Sequence, residues 1–302
     1  MTSAPPPFQH PGPPPLRPEL PEGVEPPPPE RASDGLPPLG VPLWTPFAAL
    51  MAVFVGVLMI GIVIGIVVGL GGGDATGDPS TGLSLALTTV QAALLVFVAW
   101  YAVDLLASRP SPASFGLRIV RPLPALGWTL LAYAGFVAAT GIVLTVLGEP
   151  EEQELVQDIE EESAFVVLAG FALLSCFIAP VAEEFFFRGF MYRAIAERVH
   201  PIWAALISGG VFGAIHLGGS PAVSVVVLST FGVALGLLLW RTGSLIPCIM
   251  LHACNNSIAF GTTKELPWWG FLLLVLGSVG TTLAVSLLVV RRSRGTPSPA
   301  PA

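Results

Sequence analysis

Apolar residues dominate the chain in long stretches, and the length of those stretches is the first guide to its fold. Crossing a bilayer as a helix takes roughly 20 apolar residues. Eight stretches qualify as candidates, at about 46–70, 83–106, 125–147, 164–187, 201–217, 221–240, 244–261 and 268–290. The first three and the last are plain. The four between 164 and 261 are shorter and are interrupted by Pro, Gly and ionisable residues. Polar groups are costly in lipid and mark function there, so these two kinds of stretch predict different jobs. The fold class expected is an all-α polytopic bundle of about eight transmembrane helices with a disordered Pro-rich N-terminal tail.

Composition supports the membrane reading. The 302 residues are 53% hydrophobic and 11% charged, against about 25% charged in a soluble domain. Fifteen of the 31 prolines fall within residues 1–40, a segment that cannot bury a core and is expected to be solvated or polyproline-like. It lacks the basic start and short apolar run of a secretory signal, and the run beginning near Trp44 reads as a signal anchor. The divisions expected are a cytoplasmic tail at 1–42, N-terminal transmembrane helices at 43–148, a core of polar-interrupted helices at 164–261, a last transmembrane helix at 262–292 and a C-terminal tail at 293–302.

The charges orient the bundle. Arg109, Arg118 and Arg121 follow the second stretch, Arg193 and Arg198 the fourth, Arg241 the sixth, and Arg291, Arg292 and Arg294 the eighth. The loops after the first, third, fifth and seventh contain one basic residue, Lys264. Loops rich in Lys and Arg stay cytoplasmic, so both termini are expected inside a cell membrane. The loop Gly148 to Ser163 holds eight acids and is expected outside, as a solvated acidic loop. Thirteen scattered Lys and Arg give no sign of nucleic-acid binding. Cys176, Cys248 and Cys254 all lie in apolar stretches and read as small apolar fillers, with neither disulfide nor zinc spacing. Twelve Arg to one Lys, with abundant Ala, Gly and Pro, hints at a GC-rich bacterial genome.

Three short motifs carry the candidate chemistry. The fourth stretch ends Ala182-Glu183-Glu184-Phe185-Phe186-Phe187-Arg188-Gly189. Glu184 and Arg188 share a helix face at i, i+4, while Glu183 points elsewhere. One carboxylate is then neutralised and the other left free as a general base; a structural ion pair at a helix end is an equally good reading of this motif alone. The fifth stretch carries Phe212-Gly213-Ala214-Ile215-His216, with His216 its sole ionisable group. The seventh carries His252-Ala253-Cys254-Asn255-Asn256, where His252 and Asn256 face the same way and suit an oxyanion, a ligand or interhelical hydrogen bonding. The other stretches offer nothing comparable except Asp104 near a helix end. The five polar residues are therefore expected to converge in the bundle interior. A carboxylate with two imidazoles activates water, or binds a divalent metal.

Glu-Glu-x-x-x-Arg, Phe-x-x-x-His and His-x-x-x-Asn, in that order on consecutive C-terminal helices, resemble the CPBP family of CAAX proteases and bacteriocin-processing enzymes, also called Abi. The resemblance covers about residues 164–261. It implies an eight-helix core of the type II CAAX prenyl endopeptidase kind and intramembrane hydrolysis of a peptide bond in a membrane-associated protein or peptide. It implies that Glu183 activates water with His216, that His252 and Asn256 steady the oxyanion, and that Glu184, Arg188 and Phe212 hold the site's shape. The family is described both as glutamate-type, needing no cofactor, and as metal-dependent. A divalent metal such as zinc would take Glu183, His216 and His252. Two other classes of function stay open: an ion- or proton-coupled transporter using the same groups as a relay, and a non-catalytic immunity or scaffold protein. Polar motifs confined to one half of the chain favour the enzyme over a transporter with paired broken helices.

Overall fold

The computed structural model describes residues 36–71, 81–107, 110–149, 156, 157, 159, 162, 164–217 and 219–295. The Pro-rich tail before residue 36, Arg109, most of the acidic loop and the last residues of the C-terminal tail lie outside them. The described residues form eight helical rods: α1 (Thr45–Leu70), α2 (Thr81–Leu106), α3 (Pro122–Leu147), α4 (Phe165–Ala196), α5 (Pro201–Ala214), α6 (Ala222–Thr242), α7 (Leu245–Thr263) and α8 (Trp268–Gly295). No named strand occurs among them.

Six rods, α1 to α4, α6 and α8, are long and apolar enough to cross a membrane. The other two expected spans are helices of a different kind. α5 has 14 residues, roughly 21 Å at ~1.5 Å per residue, short of a ~30 Å hydrocarbon core. It stops at Ala214, before Gly218-Gly219-Ser220-Pro221, so the stretch expected to run to 217 ends a turn early. α7 has 19 residues but carries His252, Asn255 and Asn256 in its middle. α4 runs beyond the expected 187 to Ala196.

Lipid exposure separates the rods. α1 buries Thr45, Pro46, Ala49, Leu50 and Val53, all in its first third, and most of its remaining apolar side chains are exposed, as a bilayer permits. The core sits around the second half of α4, where Phe186, Phe187, Phe190, Met191 and Tyr192 are fully buried with Phe212, Leu235 and Leu239. α5 and α6 cross with backbones nearly touching. A Cβ on Gly209 would lie 2.5 Å from Val233 N, and one on Gly213 would lie 2.5 Å from Val225 O. Ala205 packs against Gly236 in the same seam. Small residues at i, i+4 and i+8 are what close helix approach requires where lipid offers no hydrophobic drive.

One end of the bundle is tied by short loops. Ser111 and Ser114 cap each other at the 3-10 turn Pro112–Phe115, which Gly116 ends at φ 87°. Ser244 caps α7 through Ile246 N and donates to Arg118 O at 2.6 Å, and Leu245 N donates to Gly116 O at 2.8 Å. The segments after α2 and α6 therefore meet. Residues 36–41, expected to belong to the solvated tail, dock at the end of α4 instead. Leu36, Leu39 and Val41 are buried, Glu197 accepts from the backbone N–H groups of Leu39 and Gly40, and Arg193 and Arg198 donate to Pro37 O and Val41 O. Three apolar side chains in this segment thus find a core to enter.

Candidate active site

The site begins with a break in α4. Leu174–Ile178 winds as a π-helix, and Ala179 N–H donates to Leu174 O five residues back. Ser175 O thereby loses its usual i+4 donor. Its i+5 neighbour is Pro180, which has no N–H to give. The freed carbonyl is taken by a side chain from another helix: Asn256 Nδ2 donates to Ser175 O at 2.9 Å. A single proline three residues before the carboxylates thus turns a helix irregularity into a docking point for α7. Such π-bulges are frequent at functional sites.

A second π segment, Phe185–Tyr192, follows the two glutamates. Ser208 of α5 donates to Phe187 O at 2.9 Å within it. Gly189 lets the backbone of Phe115 come close, since its Cβ would stand 3.0 Å from Phe115 O. Glu183 and Glu184 therefore sit on a short α-helical turn between two widened segments.

The two carboxylates have unlike surroundings, as their spacing from Arg188 requires. Glu184 and Arg188 are both fully buried and joined at 2.8 Å. Arg188 also donates to Gly232 O at 3.0 Å and lies 4.5 Å from the centre of the Phe212 ring. Glu184 Oε1 accepts a second hydrogen bond, from His252 Nδ1 at 2.8 Å. A carboxylate only accepts, so that nitrogen carries the proton and Nε2 is left to face elsewhere. Nε2 lies 3.7 Å from Glu183 Oε2. Glu183 keeps 19% of its side chain exposed while Glu184 keeps none. The result is a line Arg188–Glu184–His252–Glu183, with the solvent-reachable carboxylate at its far end.

Aromatic rings wall this line. The His252 ring meets Phe231 at 5.3 Å and Phe212 at 5.8 Å, both edge-on. Phe212 also meets His216 at 5.2 Å. The two imidazoles thus flank one phenyl ring.

His216 lies beyond the end of α5, in the turn after it, rather than on the fifth span as expected. Its Nδ1 bonds Phe212 O at 2.8 Å. A carbonyl cannot donate, so Nδ1 carries the proton and Nε2 the lone pair. Among the described residues His216 makes no hydrogen bond or ion pair with Glu183. Asn256 is one turn along α7 from His252, with one of its two N–H donors spent on Ser175. The structure thus gathers Glu183, Glu184, Arg188 and His252 by direct polar contact. It sets His216 beside them through Phe212 and holds Asn256 against α4.

The suggested metal ligands do not form a binding set. Among the described residues no three His, Cys, Asp or Glu side chains are arranged to hold a metal ion. His252 Nδ1 is committed to Glu184, and His216 does not reach Glu183. Ser175, Pro180, Phe231 and the Gly232 carbonyl escaped the sequence reading. Of these only Pro180 leaves a signal, as a proline inside an apolar stretch just ahead of the acidic pair. The other three act through backbone or ring surface.

"Uncharacterized protein YyaK" of Bacillus subtilis (strain 168) is 27% identical over 209 residues, 63% of this chain and 67% of that protein. No solved structure matches significantly. The CPBP resemblance drawn from the three motifs holds: residues 165–258, which contain all five site residues, match the family described as type II CAAX prenyl endopeptidase, Rce1-like.

Proposed function

We propose that the protein is an intramembrane endopeptidase in which Glu183 is the general base. The family match supports a membrane-embedded protease acting on membrane-associated substrates. The observation that carries the finer reading is the asymmetry of the two carboxylates about His252. Glu184 is spent on Arg188 and His252, whereas Glu183 is partly exposed and faces the free edge of the imidazole. A water beside Glu183 gives a proton to that carboxylate as it attacks the scissile carbonyl. His216 Nε2, with its lone pair outward, is the second acceptor for that water.

The oxyanion then develops near the second N–H of Asn256 and near His252, which donates to it from Nε2 in the form that carries a proton on both ring nitrogens. Both groups are held before the substrate arrives, one by Glu184 and one by Ser175 O, which is the preorganisation that makes such donors effective. Glu184 is a positioning residue here: it orients the His252 ring and stabilises its imidazolium form, much as a buried carboxylate does in a catalytic triad. No step is routed through a metal, because the donors are not gathered around one point.

The arginine-bearing ends of α2, α4 and α6 meet at one end of the bundle, which supports placing that end and both termini on the cytoplasmic side. A bacterial plasma membrane suits the arginine-rich composition and the Bacillus relative. The test is a comparison of membrane proteomes from cells carrying wild type or Glu183→Gln. A full-length protein or peptide precursor that accumulates uncut in the variant, and is cut by purified wild type, is the expected result. If wild type and Glu183→Gln process every candidate equally, or if the variant instead abolishes an ion flux, the protease reading falls.

A further inference from the structure

Away from the catalytic line, α3, α5 and α6 enclose an open apolar groove of about 660 Å³. Gly135 and Phe136 of α3, Leu206 of α5 and Val233 of α6 form its walls, and no acidic side chain lines it. Along α6 it runs from Thr230 to Arg241, roughly 16 Å at ~1.5 Å per residue, about half of a ~30 Å hydrocarbon core. That is the depth of one leaflet.

One end of the groove is different. The Arg241 guanidinium lies 4.5 Å from the Trp128 ring centre and 5.1 Å from that of Trp240. Arg241 is exposed and has no acidic partner among the described residues. Tryptophans mark the level of the lipid headgroups, so this cation stands where a phosphate would be. The inner wall reaches the catalytic line: Phe136 meets Phe231 at 4.8 Å with the rings tilted, and Phe231 meets His252 at 5.3 Å.

We propose that this groove binds one anionic phospholipid, its headgroup phosphate on Arg241 between the two tryptophans and one acyl chain along Gly135 and Phe136. The length of one leaflet, the apolar walls and the single uncompensated cation at the headgroup level select that occupant. A zwitterionic lipid would bring its own cation to the same place and lose the advantage.

The test is native mass spectrometry of the full chain, delipidated in detergent and titrated with phosphatidylglycerol or with phosphatidylcholine of the same acyl chains. Wild type is expected to favour phosphatidylglycerol about fivefold, the ratio one basic residue near a membrane surface typically supplies. Arg241→Gln should bind the two lipids equally. Gly135→Phe should bind neither well, because a Cβ at Gly135 meets nothing within 4 Å and the added ring enters the groove instead of a neighbouring helix. Melting curves of each variant establish that it is folded, and if Arg241→Gln is not, Gly135→Phe alone decides whether the groove is the site. Equal binding of both lipids by wild type, a preference unchanged in folded Arg241→Gln, or full binding in Gly135→Phe would each overturn the proposal. So would displacement of the bound lipid by millimolar inorganic phosphate, since that would leave the acyl chain without a role.

Discussion

Replacing Glu184 by Gln is the sharpest probe of the carboxylate asymmetry. The change is nearly isosteric and removes one negative charge from a place with no exposure. Arg188 is also fully buried, and its remaining hydrogen bond is to Gly232 O. Its cation would then have no anion within reach. Breaking a buried ion pair by removing one partner costs roughly 3–5 kcal/mol. At roughly 2–4 °C per kcal/mol for larger domains, the melting temperature should fall by on the order of 10 °C. His252 Nδ1 loses its charged acceptor as well, so cleavage should fall with stability. Glu183→Gln should behave otherwise. Its carboxylate is partly exposed and has no cationic side chain comparable to Arg188 against it, so the fold survives while loss of a general base lowers the rate about 10²–10⁴-fold. Thermal unfolding in detergent and cleavage of the substrate found by the proteome comparison read the two effects separately. Adding Arg188→Met to Glu184→Gln should recover part of the lost stability, because no buried charge is then left alone. A Glu184→Gln protein that melts with wild type, or a double variant that melts well below the single one, would refute the assignment of Glu184 to Arg188.

Other outcomes follow from the same geometry. Gly213→Val should destabilise by at least the roughly 1–3 kcal/mol typical of overpacking, since its Cβ would overlap Ser229 Oγ and sit 2.5 Å from Val225 O; an unchanged melting temperature would contradict the α5–α6 crossing. His216→Ala and His252→Ala should each abolish cleavage with little loss of folded protein, and retained activity in either removes that residue from the mechanism. A membrane-permeant chelator should leave wild-type cleavage unchanged, because the donors around Glu183 are not arranged for a metal; inactivation reversed by added zinc would show that they rearrange to bind one. Single cysteines placed between 149 and 163 should react with an impermeant thiol reagent added outside intact cells, and labelling only after lysis would invert the topology.

Much of the molecule is legible in one dimension because bilayer insertion is close to a one-dimensional problem. A helix long enough and apolar enough spans, whatever its neighbours do, so α1, α2, α3 and α8 stand close to where the apolar stretches place them. Glu184 and Arg188 are legible for a similar reason: a four-residue spacing on a helix makes the pair before any tertiary contact forms. Two of the eight expected spans are less plain, since the short α5 and the polar α7 hold their places by packing against α4 and α6 rather than by apolar length alone.

The contacts between helices are beyond the reach of local pattern. Sequence alone leaves open which imidazole faces Glu183; folding puts His252 there, 3.7 Å away, and sets His216 behind Phe212. Nothing local predicts that Asn256 would bind a backbone carbonyl. That bond exists because Pro180 withholds an N–H, the π turn moves Ala179 to another acceptor, and α7 happens to pass the carbonyl so freed. The docking of Leu36, Leu39 and Val41 is likewise invisible in a Pro-rich composition, since it depends on Arg193, Glu197 and Arg198 some 160 residues later offering partners for their backbone. Local spacing determines which groups are present and which share a helix face; only the approach of distant helices determines which lone pairs and protons are left for chemistry.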